Sequence, residues 1–378
     1  MNPLRGLQEY GQSVWLDYIR RDLLENGDLQ RLIGEDGLRG MTSNPAIFEK
    51  AIADSTLYDA AFASTPTQHA DTTTRYEHVA IDDIRRAADI LRPVYDATQR
   101  RDGYVSLEVS PYLAHDTERT LTEARRLWSA VGRENVMIKV PGTPEGIPAF
   151  EQLISEGLNI NVTLLFAQEV YERVAAAYLA GLEKRAVAGK DLRHVASVAS
   201  FFISRIDTLV DARLSERLKT AEGGERDRVQ ALFGTVANAN GKLTYERYSR
   251  IFSGPRWEKL QRQGAQTQRV LWASTSTKNP NYRDVIYVEE LIGPDTVNTM
   301  PPATIDAFRN HGRLRHSLTE NVAGARATME QLAQVGISMQ EVTAQLLDDG
   351  VRLFAEAFDK LLRAVEQKSA TVARRASA

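Results

Sequence analysis

Val136-Met137-Ile138-Lys139-Val140-Pro141-Gly142-Thr143 sets a single lysine inside a short apolar run of β-type residues. A lysine in a buried strand must shed its charge or find a partner, because desolvation disfavours the ammonium form. A neutral amine attacks carbonyls, and its common enzymatic use is a Schiff base. Pro141-Gly142 ends the run, which puts Lys139 near the C-terminal end of a strand. In a parallel α/β barrel that end is the catalytic face. An edge strand or a snorkelling side chain is the plain alternative, so the surrounding residues have to decide.

Working outward, further strand-like runs lie near Ser13–Tyr18, Leu38–Thr42, Tyr104–Val109, Ile160–Phe166, Val195–Phe201, Arg269–Ser274 and Thr296–Met300. With the lysine run they make eight. Helical periodicity fills the intervals, as in Ile81, Ile84, Ala88, Leu91 and Tyr95, in Leu121–Val131 and in Ala167–Lys184. Eight strands alternating with helices predict a (β/α)8 barrel. The chain is longer than such a barrel needs, and extra helices are expected in Phe48–Ala80 and Asp207–Gln268. Residues 1–366 are expected to form a single barrel domain. Leu347, Val351, Phe354, Phe358, Leu361, Leu362 and Val365 form one apolar helical stripe, packed on the barrel or on a second copy in a possible homodimer. The segment 367–378 is small and polar and reads as a frayed tail.

Composition narrows the function. The 378 residues are 43% hydrophobic and 26% charged, as in a soluble globular protein. A net charge of −3 carries no footprint for nucleic acid or an anionic membrane. No apolar stretch approaches the ~20 residues of a membrane span. The absence of cysteine excludes thiolate nucleophiles and zinc–thiolate sites, and fits a reducing, cytoplasmic setting. His69, His78, His115, His194, His311 and His316 include no pair at metal-binding helical spacing. The glycines of Gly234–Lys242 are wrongly spaced for a P-loop, and no dinucleotide fingerprint follows a strand. Neither a metal nor a cofactor is implied.

Polar residues gather at the strand ends. Asp17 closes Val14-Trp15-Leu16-Asp17, Asn44 follows Met41-Thr42-Ser43, and Glu108 sits in Val105-Ser106-Leu107-Glu108-Val109. A helix cap, a turn and an ion pair would account for them singly. Together, around a buried lysine, they make a site. Asn161 and Thr163 are two apart and share a strand face, with Val162 and Leu164 on the other. Arg205 after the sixth strand and Lys278 after the seventh are the candidate phosphate cations.

Met41-Thr42-Ser43-Asn44-Pro45, Val105–Val109, Ile138–Thr143 with Glu145-Gly146-Ile147, Asn159–Phe166, Trp272-Ala273-Ser274-Thr275 and Gly293–Pro301 form an ordered series. That series, spanning about Gly11 to Lys360, resembles the transaldolases of the longer bacterial type. The resemblance implies a class I aldolase on a (β/α)8 barrel. It would move a dihydroxyacetone unit from sedoheptulose 7-phosphate to glyceraldehyde 3-phosphate, giving erythrose 4-phosphate and fructose 6-phosphate. By the same resemblance Lys139 is the Schiff-base lysine, Asp17 the acid/base at the C4 hydroxyl, and Glu108 with Thr163 the holders of the imine water. Asn44, Asn161 and Ser200 would bind the dihydroxyacetone hydroxyls, and Arg205 a phosphate. Many transaldolases carry Arg two residues after the serine matched by Ser274; here that residue is Ser276, and Lys278 is expected to take its place. Phe202 stands where related fructose-6-phosphate aldolases carry Tyr, which favours transfer over free cleavage. An aldolase releasing free dihydroxyacetone would use the same lysine, and a barrel that only senses sugar phosphates is the reading from another class.

Overall fold

The computed structural model describes residues 2–53, 55–64 and 70–377. Eight strands form a closed, all-parallel barrel in chain order. They are β1 (Gln12–Asp17), β2 (Gly40–Thr42), β3 (Tyr104–Glu108), β4 (Val136–Pro141), β5 (Ile160–Leu165), β6 (Ser197–Phe202), β7 (Arg269–Ala273) and β8 (Thr296–Met300). β8 pairs back onto β1 through Trp15 and Thr299, so the sheet has no free edge. The expected (β/α)8 architecture is therefore the observed one, and all eight expected strand runs fall on it.

The helices between strands start where the sequence provides for it. Asp71 accepts from the Thr74 amide at 2.7 Å to open Thr72–Ala97, and Asp116 accepts from Arg119 at 2.9 Å to open Thr117–Val131. The second ends at Gly132, whose φ of 61° suits a residue without Cβ. The expected extra helices are present as Pro45–Ala53 and Asp59–Phe62 in the first long connection. In the second they are Ser204–Leu218, Gly223–Ala231, Val236–Ile251 and Pro255–Gln261. Positions 54 and 65–69 of the first connection, with His69, lie outside the described residues. No helix among the described residues is long and apolar enough to cross a membrane.

Inside the barrel, neighbours in register share a face. Trp15 fills the interior against Gly40, where a Cβ would fall 2.5 Å from the indole. At the barrel floor Arg269 donates to Asp102 at 2.8 Å, and Ser13 and Trp15 donate to the same carboxylate. Higher up, Glu108 aligns with Lys139, Lys139 with Asn161, and Pro141 with Thr163. The expected shared face of Asn161 and Thr163 is thus the inner one. The alternation breaks at Leu164, whose φ of 62° accompanies a register shift between β5 and β6.

The C-terminal helix, Met339–Ser377, lays its stripe on its own barrel, against Pro45–Ala53 and Thr72–Ala97. Phe358 meets Tyr76 edge-on at 5.9 Å. The segment 367–378, expected as a frayed tail, instead continues this helix to Ser377. Val372 extends the stripe by seven residues and is buried, while the Lys368 ammonium pairs with Asp59 at 3.0 Å. A stripe residue and an anchored cation are enough to hold the added turns.

Candidate active site

Lys139 is 5% exposed and finds a partner. Its Nζ donates to the Ser43 carbonyl at 3.1 Å and to Glu108 Oε2 at 3.2 Å. β4 supplies the lysine, β3 the carboxylate and the β2 terminus the carbonyl, so three adjacent strands fix one nitrogen. Burial pushes the Glu108 carboxyl up, against the pull of Lys139.

A cavity of about 210 Å³ opens over this nitrogen at the C-terminal mouth of the barrel. Asp17, Asn44, Lys139, Thr163, Ser200, Phe202, Arg205, Ser274 and Lys278 all line it. Glu108 faces an adjoining recess of about 10 Å³, close to the room that one water requires. Asn161 lies beneath, with its amide engaged at both ends: it donates to Ser106 Oγ at 3.1 Å and accepts from Ser200 Oγ at 2.6 Å. The structure therefore brings every expected site residue to one end of the barrel.

Asp17 accepts from Thr42 Oγ1 at 2.7 Å. Burial raises its pKa, opposed by that hydrogen bond and by the charges of Lys139, Lys278 and Arg205. Asn44 uses its side-chain oxygen on the Ile47 amide at 3.0 Å to open the helix Pro45–Ala53, and its amide nitrogen has no partner among the described residues. Thr163 Oγ1 is buried without a hydrogen-bond partner among the described residues. Ser274 adopts a φ of 55° and lies 3.0 Å from Ser204 through their hydroxyls.

Arg205 and Lys278 mark the anionic end. Arg205 is half-buried, with its guanidinium 5.2 Å from the Phe202 ring centroid and 5.9 Å from that of Phe354. It has no carboxylate partner among the described residues. Lys278 Nζ donates to Ser276 Oγ at 2.8 Å. Desolvation, and then the nearby Arg205, lower the Lys278 pKa. Two cations with no carboxylate in direct contact among the described residues carry the charge that an anion would require.

The model of the Transaldolase/Fructose-6-phosphate aldolase family matches residues 14–365. "Transaldolase" of Trichodesmium erythraeum is 47% identical over 370 residues, covering 97% of both chains. "Transaldolase 2" of Nostoc punctiforme is 48% identical over 371 residues, again 97% of each. "Transaldolase" of Thermobifida fusca is 46% identical over 370 residues, 98% of this chain and 99% of its own. The chain belongs to the transaldolase/fructose-6-phosphate aldolase family.

For a member of this family, several neighbours of the site escape a reading based on side-chain type. Thr42 and Ser106 hold Asp17 and Asn161, and the Ser43 contribution is a backbone carbonyl. Phe354 reads as one more core residue of a helical stripe, yet its ring lies over both Lys139 and Arg205. A larger groove of about 1000 Å³ lies along Phe166, Gln168, Asn240, Met329 and Leu347. It contains neither Lys139 nor the carboxylates around it, so size alone does not locate the chemistry.

Proposed function

We propose that this chain catalyses the transaldolase reaction through a Schiff base on Lys139. The observation that carries it is the buried Nζ, 3.2 Å from Glu108 and facing a cavity lined also by Asp17, Arg205 and Lys278. Lys139 attacks the C2 carbonyl of a ketose phosphate. Loss of water, held by Glu108 and Thr163, gives an iminium. Asp17 removes the C4 hydroxyl proton, the C3–C4 bond breaks, and its electrons pass into the iminium, leaving an enamine on Lys139. The departing aldose phosphate is replaced by another, and the same steps run backward. A carboxyl whose pKa is raised by burial suits Asp17 to both directions, since it must take and return one proton.

In this reading Asn44 and Ser200 bind the hydroxyls of the three-carbon unit. Asn161, buried beneath the cavity and not lining it, positions Ser200 by accepting from its hydroxyl. Arg205, Lys278 and Ser274 take the phosphate. The donor is sedoheptulose 7-phosphate or fructose 6-phosphate, and the acceptor glyceraldehyde 3-phosphate or erythrose 4-phosphate. A cytoplasmic setting accords with the absence of cysteine. Release of free dihydroxyacetone is disfavoured because Phe202 offers no hydroxyl to the enamine.

Incubation with fructose 6-phosphate and borohydride, followed by peptide mapping, tests the proposal. The expected result is a reduced three-carbon adduct on Lys139 and none on the Lys139→Met variant. An adduct elsewhere, or none, overturns it.

A further inference from the structure

Phe354 comes from the C-terminal helix, far along the chain from the strands that build the site. It is 8% exposed and lines both the main cavity and the recess beside Glu108. Its ring centroid lies 5.9 Å from Lys139 Nζ. The helix is seated one turn earlier by Gly350, where a Cβ would fall 2.8 Å from Leu164 Cδ2. Leu164 is the left-handed residue that directly follows Thr163. The helix thus passes close to the end of β5 at Gly350, and one turn on Phe354 lies over the lysine.

The enamine on Lys139 has two fates. An acceptor aldehyde can bond at its nucleophilic C3. Alternatively, C3 takes a proton to regenerate the iminium, water adds at C2, the new hydroxyl gives up its proton, and the C–N bond breaks. That second route consumes one water and frees dihydroxyacetone and the amine. It needs a proton at C3 and water while the three-carbon unit is still waiting; in transfer the new bond forms at C3, Asp17 returns its proton to the new C4 oxygen, and water is needed only afterwards to release the product.

We propose that Phe354 is a specificity-determining residue, a roof that keeps solvent from the three-carbon unit on Lys139 and so commits it to the acceptor. This rests on the Schiff-base reading of Lys139. Phe202 lines the same cavity and is backed by Phe166, their ring centroids 5.2 Å apart.

The test is the product ratio with fructose 6-phosphate as donor and erythrose 4-phosphate as acceptor: free dihydroxyacetone against sedoheptulose 7-phosphate. Phe354→Ala is expected to raise that ratio roughly tenfold and Phe354→Leu about threefold, tenfold corresponding to ~1.4 kcal/mol between competing barriers. The ratio is internal to each sample and does not depend on the fraction folded. Should the alanine variant be insoluble, the leucine variant decides. An unchanged ratio in the soluble variants overturns the inference. Borohydride trapping on the unaltered enzyme separates the outcomes: no adduct on Lys139 removes the underlying reading, whereas an adduct with an unchanged ratio removes only the role of Phe354.

Discussion

Thr42 Oγ1 lies 2.7 Å from Asp17 Oδ1 and 2.7 Å from Thr299 Oγ1, so the carboxylate is held at the barrel mouth by a chain of hydroxyls. Such fixing orients an acid/base but does not replace the water it loses. Asp17 has a raised pKa in the folded protein, so its charge costs stability at neutral pH. That cost is absent below the unfolded pKa and grows as pH rises through the folded one. Asp17→Asn is therefore expected to abolish turnover yet raise stability by roughly 1 kcal/mol at pH 7. Thermal melts at pH 7 and pH 4 check it: the gain over the unaltered protein should shrink at the lower pH.

The stacking of Arg205 between Phe202 and Phe354 fixes the guanidinium without neutralising it. Arg205→Ala and Lys278→Ala are each expected to raise KM for phosphorylated donors roughly tenfold to a hundredfold, the worth of a charged hydrogen bond. Transfer from dihydroxyacetone itself to an unphosphorylated acceptor such as glyceraldehyde should change far less. Steady-state kinetics on both donors provide the measurement. An equal loss on both would remove the cation from the phosphate site.

Phe202 lines the cavity with no polar atom. Phe202→Tyr places a phenol that can donate a proton there. Acceptor-independent release of dihydroxyacetone from fructose 6-phosphate is expected to rise several-fold, and an enzymatic assay of free dihydroxyacetone reads it directly.

Arg269 and Asp102 are 4% and 2% exposed at the floor, far from the mouth. Burial alone would raise the Asp102 pKa, but Arg269, Ser13 and Trp15 hold it below the ordinary carboxylate value. Its contribution to stability is thus full above that ordinary value and lost as pH falls through the folded one. Arg269→Met leaves the buried carboxylate with only the Arg39 guanidinium, 3.6 Å away, for a counter-charge and is expected to cost about 3 kcal/mol. Urea unfolding gives the loss, while kcat per folded molecule should hold, since the floor of such a barrel serves stability.

The strands were legible because each is a short apolar run closed by a polar residue or a turn. Lys139 stood out because a charge in such a run has few structural excuses. Asn161 and Thr163 could be assigned a common face from alternation alone. Leu164 could not, because a left-handed residue at a register shift obeys no period. Phe354 and Gly350 were hidden for another reason: their roles depend on where the C-terminal helix crosses the barrel. A helical stripe says that one face is covered and is silent about which residue overhangs a cavity. The final turns of that helix were misread because Gln367–Ala378 is mostly small and polar. Val372 and Lys368 hold it through contacts distant in sequence.

The order of the chain gives Phe354 a temporal meaning. A nascent polypeptide exposes all eight strands, with Lys139 and both carboxylates, before Phe354 has left the ribosome. On the role proposed for Phe354, the three-carbon unit on Lys139 gains its cover only once this last helix has docked.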